Sequence, residues 1–131
     1  MAKLTLLTTQ YGNALARLQD VLAQEKTEFM RDAAIQRFEF TFDLSWKLLK
    51  AYLEQEKGII CRSSKDCFRE AYAQGVIEYD TQWLTLTDMR NRTSHIYNEK
   101  MADEIYASLP TALSLFDALQ KAIIQHPTIK I

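Results

Sequence analysis

One short segment late in the chain concentrates side chains that could do acid–base and phosphate chemistry. Residues 86–98 read LTDMRNRTSHIYN. Arginine binds phosphate through two parallel hydrogen bonds and keeps its charge, and histidine exchanges a proton near neutral pH. Together they could cleave RNA without a metal. His95 would take or return the proton of a 2′-hydroxyl or of the leaving oxygen, while Arg90 steadies the charged phosphate.

The spacing of this pair leaves the interpretation open. On an ideal helix Arg90, Ser94 and Tyr97 lie within about 40° of one another, whereas His95 is about 140° from Arg90. The two would converge only if the helix ends or bends near Ser94, or if a second subunit completes the site. The structural alternative is a helix terminus at which His95 caps carbonyls and Arg90 pairs with Asp88 or with a carboxylate of a neighbouring helix.

Histidine is scarce, and this narrows the choice of an acid–base residue. The chain has 2 histidines. His126 stands beside Pro127 after the last predicted helix, where a helix C-terminus favours cationic side chains, so we assign it no catalytic role. Any acid–base catalysis by histidine therefore depends on His95.

The composition fits one ordinary domain and excludes several classes of protein. The chain has 131 residues with 3 glycines and 2 prolines, too few for turn-rich sandwiches or glycine-rich phosphate loops. A net charge of −1 favours neither nucleic acid nor an anionic membrane as a general partner. A local basic groove remains open, for which the candidates are Arg62, Lys65, Arg90, Arg92 and Lys100. No apolar run reaches the roughly 18–20 residues that span a bilayer, so we expect a cytoplasmic protein.

Cys61 and Cys67 are expected to be free thiols. Their spacing matches neither a zinc knuckle nor a redox motif, and a reducing cytosol would keep them unpaired. With two distant histidines, a structural zinc site is not expected either.

The apolar periodicity predicts an all-α fold. The first two helices are expected at about residues 4–26 and 32–57, the second with Gly58 as C-cap. A short helix should follow, capped by Ser63 or Ser64 and ended by Gly75, and a fourth should be capped by Asp80. The last helix is expected at about 101–125, and Pro110 should kink or restart it. The second helix is apolar on two faces, so it is either central or shared with a partner. The prediction is an antiparallel up-and-down four-helix bundle with one additional short helix.

Two motifs resemble one known family. Residues 90–97, RNRTSHIY, resemble the R-x4-H-x-Y signature of the HEPN superfamily, specifically its HepT-like members, and Asn91 matches the polar residue that follows the arginine. Residues 35–47, IQRFEFTFDLSWK, resemble the second helix of the nucleotidyltransferase substrate-binding proteins of the same group. Residues 1–131 are accordingly interpreted as a single HEPN-like helical domain.

The resemblance implies a fold, an activity and two partners. The fold is an up-and-down helical bundle that forms homodimers, so that two motif segments share one cleft. Catalytic members are metal-independent ribonuclease toxins of toxin–antitoxin pairs; by analogy Arg90 and His95 are catalytic, and Asn91 and Ser94 support them. The partner is a minimal, MntA-like nucleotidyltransferase that attaches AMP to the motif tyrosine, here Tyr97. Neither a cofactor nor a metal is implied.

Three functions stay open at this point. The chain is a ribonuclease toxin acting on RNA, a non-catalytic substrate-binding subunit of a two-component nucleotidyltransferase, or a helical dimerisation module whose polar motif only caps a helix. The nucleotidyltransferase activity itself is not in this chain, because Gly12, Gly58 and Gly75 are in no Gly-Ser loop followed by paired aspartates.

Overall fold

The computed structural model describes residues 2–78 and 81–124 and is all-helical over them. Its elements are α1 (Ala2–Leu22), α2 (Glu28–Lys57), α3 (Ser64–Ala73), α4 (Thr81–Arg92), a short 3-10 turn (Thr93–His95) and α5 (Glu99–Ile124). The prediction of an all-α bundle with an additional short helix is confirmed. The expected Asp80 cap and His126 lie outside the described residues.

Local capping explains where α2 and α3 begin and end. Gly58 adopts the left-handed conformation, with φ of 67°, and ends α2 as predicted. Ser63 caps α3 by accepting a hydrogen bond from the Asp66 N–H at 3.2 Å. The predicted start of α2 at residue 32 is wrong, because the helix begins four residues earlier, at Glu28. Thr27 caps it by accepting a hydrogen bond from the Met30 N–H at 3.0 Å.

The last helix is less interrupted than its sequence predicts. Asn98 caps α5 by accepting from the Met101 N–H at 2.9 Å, so the helix begins just after the polar motif. The helix runs from Glu99 to Ile124 through Pro110, and the predicted restart does not occur. The buried side chains of Leu109 and Ala112 on either side of the proline hold this part of the helix against the core.

Helix α2 is the central element of the bundle, since it packs against α1, α3, α4 and α5. Its residues Phe38 and Phe42 join an aromatic cluster with Phe68 of α3, Trp83 of α4 and Phe116 of α5. The second apolar face of α2 is only partly buried. Its C-terminal part is buried, but Phe40 is 48% exposed on the surface.

The expectation of free thiols is wrong in this structure. Cys61 and Cys67 form a disulfide, with their Cα atoms 5.1 Å apart. The loop after Gly58 returns along the start of α3, which brings Cys61 beside the first turn of that helix. Both cysteines are fully buried.

None of the helices in residues 2–78 and 81–124 combines the length and the apolar character that crossing a membrane requires.

Candidate functional site

The polar motif lies where α4 ends and α5 begins. The α-helical part of α4 stops at Arg92, a 3-10 turn carries the chain to His95, and Ile96 is extended with ψ of 108°. The helix thus ends before Ser94, which meets the first of the two conditions for bringing His95 and Arg90 to one cleft. Residues 96–98 form a short connecting segment before α5.

Arg90 is held by two carboxylates of α2. Its Nε and Nη2 donate to the two carboxylate oxygens of Asp43, each at 3.1 Å, and its Nη1 donates to Glu39 Oε2 at 3.0 Å. The hydrogen bond with Asp43 raises the pKa of Arg90 above its usual value. The partner is therefore a neighbouring helix, as one of the two structural alternatives predicts. Asp88 instead pairs with Lys65 at 2.9 Å.

Thr93 completes this arrangement from the 3-10 turn. Its buried hydroxyl accepts from Arg90 Nη1 at 3.0 Å and lies 2.7 Å from Glu39 Oε2. Sequence reasoning did not single out Thr93, Glu39 or Asp43. A signal for the carboxylates was present, because residues 39 and 43 are four apart and so share one face of α2.

His95 and Tyr97 form a second, exposed pair. The Nδ1 atom of His95 lies 3.2 Å from the Tyr97 hydroxyl oxygen. Tyr97 is 80% exposed, and His95 is exposed as well. The tyrosine hydroxyl and the imidazole are thus both within reach of another molecule.

The structure therefore divides the predicted site residues into two groups within one chain. Arg90 contacts α2 and Thr93, whereas His95 contacts Tyr97. Asn91 and Ser94 are exposed on the last turn of α4 and on the 3-10 turn. No hydrogen bond joins Arg90 to His95 in the described part of the chain.

A cleft of about 540 Å³ opens beside Tyr97, between α2 and the start of α5. Its lining is mainly polar: Arg31, Asp32, Ile35, Gln36, Glu39, Ile96, Tyr97, Asn98, Glu99 and Ala102. Glu39 is shared between this cleft and Arg90. The cleft therefore lies between Tyr97 and the carboxylate that binds Arg90.

Arg31 fixes the far wall of this cleft. Its side chain is 5% exposed and forms ion pairs with Glu99 and, at 3.3 Å, with Asp103 of α5. The hydrogen bond with Glu99 raises the pKa of Arg31. Lys26, at 3.0 Å, is the main cause of the lowered pKa of Asp103. The first turns of α2 and α5 are thereby joined next to the motif.

The basic groove considered from the sequence is largely neutralised. Lys65 pairs with Asp88, Arg90 with Asp43 and Glu39, and Arg92 lies 3.7 Å from Glu104. Within residues 2–78 and 81–124, no three histidine, cysteine or acidic side chains are grouped so that they could hold a metal ion.

Comparison with known proteins identifies a family and several relatives of this chain. Residues 7–125 match the family described as nucleotidyltransferase substrate binding protein like. A Haemophilus influenzae protein named "Probable ribonuclease HepT" is 40% identical over 80 residues, which are 58% of this chain and 55% of that protein. The match thus spans about half the length of the curated relative.

Two solved structures share the architecture. A crystal structure of a Thermus thermophilus protein superposes with a TM-score of 0.81 at 35% identity, covering 88% of this chain and 99% of that one. A Haemophilus influenzae protein, whose structure is described as revealing the fold of a substrate binding domain of a nucleotidyltransferase, gives a TM-score of 0.70 at 27% identity, covering 95% and 98%. With the R-x4-H-x-Y motif in place at the end of α4, the chain belongs to the HepT-like family of nucleotidyltransferase substrate binding proteins.

Proposed function

We propose that this chain is a cytoplasmic, HepT-like ribonuclease toxin that works as a homodimer and is paired with a minimal nucleotidyltransferase. Within it, Arg90 and His95 are the catalytic residues, Asn91 and Ser94 support them, and Tyr97 accepts AMP. The observation that carries the proposal is the exposed His95–Tyr97 pair beside a firmly held arginine. Among residues 2–78 and 81–124 no carboxylate pairs with the His95 imidazole, so this exposed ring can serve an external substrate.

The proposed cleavage needs only these side chains. His95 takes the proton of the ribose 2′-hydroxyl, and the 2′-oxygen attacks the adjacent phosphorus. The bond from phosphorus to the 5′-oxygen breaks, and that oxygen takes up a proton from the imidazolium of His95, which restores the neutral imidazole. The products are a 2′,3′-cyclic phosphate and a 5′-hydroxyl end. A guanidinium near the phosphate stabilises the charge that builds up on its oxygens.

A homodimer would bring the two groups of residues together. In one chain Arg90 faces α2 while His95 faces Tyr97. A second copy related by two-fold symmetry could place its His95 over the first copy's Arg90, and symmetric dimers are the commonest oligomers. The proposal therefore expects neither residue to act alone in a monomer.

The partner enzyme would act on the exposed hydroxyl of Tyr97. That oxygen attacks the α-phosphorus of ATP, so an O–P bond forms, pyrophosphate leaves, and the phenolic proton is released. The 80% exposure of Tyr97 supports this role, because an acceptor must enter another enzyme's active site. AMP on this oxygen would also displace the hydrogen bond to His95.

The test is RNA cleavage by the purified protein in the presence of EDTA. General acid–base catalysis contributes about 10²–10⁴-fold to rates, so His95→Ala should lower cleavage by at least about 100-fold while the helical content stays unchanged. Tyr97→Phe is the matched control: it should still cleave RNA but should not take up label from α-³²P-ATP in the presence of the nucleotidyltransferase. Undiminished cleavage by the His95→Ala protein would refute the catalytic assignment.

A second candidate function is a non-catalytic substrate-binding subunit of a two-component nucleotidyltransferase. The favouring observation is that Asp43 and Glu39 already compensate the charge of Arg90. Under this alternative the protein co-purifies with the nucleotidyltransferase, its expression is not toxic, and neither the wild type nor the Tyr97→Phe protein cleaves RNA.

A further inference from the structure

A groove between α1 and α2 is distinct from the polar cleft beside Tyr97. It consists of two adjoining clefts of about 500 and 270 Å³ that share Arg17 and Arg37. Lys47, Phe40 and Leu44 line the larger cleft. We call this feature the α1–α2 groove. Along α1 its lining extends from Gln10 to Val21, which is about 17 Å at 1.5 Å per residue.

The three cations of the groove are available to a ligand. In the described part of the chain, no carboxylate forms an ion pair with Arg17, Arg37 or Lys47. Two acidic residues, Asp20 and Asp43, also line the groove, but Asp43 already accepts two hydrogen bonds from Arg90. The local charge is thus positive in a chain whose net charge is −1.

An exposed aromatic ring lies among these cations. Arg37, Phe40, Leu44 and Lys47 follow one another at steps of three and four residues, so they share one face of α2. Phe40 is 48% exposed, although the phenylalanines two residues before and after it in the same helix, Phe38 and Phe42, are buried. Cationic side chains that track a backbone, together with a ring on which a base can stack, are the features by which proteins bind single-stranded nucleic acid.

We infer that the α1–α2 groove binds single-stranded RNA, with Arg17, Arg37 and Lys47 on phosphates and Phe40 stacked on a base. This rests on the proposed ribonuclease function, for which the groove would supply substrate binding outside the motif. Asp43 gives the physical link, because it lines the groove and also holds Arg90. RNA bound in the groove would therefore lie close to Arg90, which is proposed to act on the phosphate.

The test measures binding without cleavage, in the His95→Ala background. Fluorescence anisotropy of a fluorescein-labelled 12-nucleotide RNA of mixed sequence gives the Kd at 50 and at 200 mM NaCl. Each phosphate contact to a single strand contributes about 0.7 to the slope of log K against log salt. Replacing Arg17, Arg37 and Lys47 by glutamine should therefore remove about 2.1 from the slope, so the parent should lose about 18-fold more affinity over this range than the triple variant.

A matched control replaces three other cations by glutamine, namely Lys57, Arg69 and Lys121, which are exposed outside the groove. The change in net charge is the same. If the control loses as much of the salt dependence as the groove variant, or if the groove variant keeps the parental slope, the inference is wrong.

Phe40→Ala separates RNA from other occupants of the groove. Loss of base stacking should weaken RNA binding by roughly 5- to 150-fold and leave binding of heparin, which has no bases, unchanged. An equal effect on both, or no effect on RNA, would make the groove a general anion site and overturn the inference. A change from dimer to monomer in the triple variant, measured by sedimentation, would identify the groove as an interface between copies and also overturn it.

Failure of the groove and failure of the proposed function give different results. If wild type does not cleave RNA but the groove variants lose RNA binding, the groove assignment stands and the ribonuclease assignment falls. If wild type cleaves RNA and the groove variants bind it normally, the groove assignment falls alone.

Discussion

The pairing of Arg90 with Asp43 gives a quantitative prediction about the end of α4. Three hydrogen bonds from Arg90 reach carboxylate oxygens at 3.0–3.1 Å, and the side chains are 23% exposed for Arg90, 27% for Glu39 and 41% for Asp43. Charge-assisted hydrogen bonds contribute about 1.5–3 kcal/mol when buried, and exposed ion pairs about 0.2–1 kcal/mol. For this intermediate exposure we take about 1 kcal/mol for each bond.

Arg90→Met should therefore lower the free energy of unfolding by about 3 kcal/mol, since it removes all three bonds. Unfolding entropy of about 2.1 cal/mol/K per residue gives roughly 0.28 kcal/mol/K for 131 residues, so Tm should fall by about 11 °C. The urea-unfolding cycle of Arg90→Met, Asp43→Asn and the double variant should give a coupling energy of about 2 kcal/mol, because two of the three bonds go to Asp43.

A coupling energy below about 0.5 kcal/mol would refute this reasoning, because it is what independent sites show. The cycle also separates scaffold from chemistry. If Arg90 is catalytic, Arg90→Met abolishes RNA cleavage well below its Tm, whereas Asp43→Asn, which keeps the guanidinium, retains cleavage under the same conditions.

Three further outcomes follow from other contacts. Reduction of the Cys61–Cys67 disulfide should cost about 2.2 kcal/mol, from the loop entropy of a sequence separation of 6, and lower Tm by about 8 °C. The Cys61→Ala/Cys67→Ala protein should not respond to dithiothreitol. The hydrogen bond from Lys26 is the main cause of the lowered pKa of Asp103 in the folded protein. The ionised carboxylate therefore stabilises the fold above the unfolded pKa of about 3.9, and this stabilisation is lost as pH falls through the folded pKa. The difference in urea midpoint between wild type and Asp103→Asn should thus be present at pH 7 and vanish in acid; a constant difference would contradict the pairing. Tyr11→Phe should cost about 0.5–1.5 kcal/mol in urea unfolding, because it removes the buried hydrogen bond that the tyrosine hydroxyl donates to the Phe116 carbonyl at 2.7 Å; a neutral substitution would show that this bond adds nothing to stability.

Periodicity predicted the helices well because burial in this fold follows the helical repeat. In α5 the apolar residues that recur at three- and four-residue steps, such as Ile105, Leu109 and Phe116, are buried. Helix ends were less predictable. Thr27 caps α2 ahead of two exposed apolar residues, Phe29 and Met30, which do not continue the buried apolar repeat of the helix and so do not mark its start.

The site shows what a single segment of sequence can and cannot indicate. The motif predicted a polar cluster at a helix end, and Arg90, His95 and Tyr97 do lie there. The sequence did not predict which partner each side chain takes, because the carboxylates that hold Arg90 come from a helix about 50 residues earlier, as the separations of 47 and 51 show. The disulfide was missed for a related reason. Its geometry depends on how the loop after Gly58 returns to α3, which residue spacing does not define.

The ion pairs of α2 have a consequence for the segment that carries His95 and Tyr97. Arg31 holds the start of α5, and Glu39 and Asp43 hold the end of α4, so both ends of residues 93–98 are attached to one helix. From residue 31 to residue 43 the helix rises about 18 Å, and this distance does not depend on the segment between the ends. The distance between the two helices is therefore set by the bundle and not by this segment. Substitutions at its exposed positions, such as His95 and Tyr97, can thus remove the proposed chemistry without unfolding the bundle.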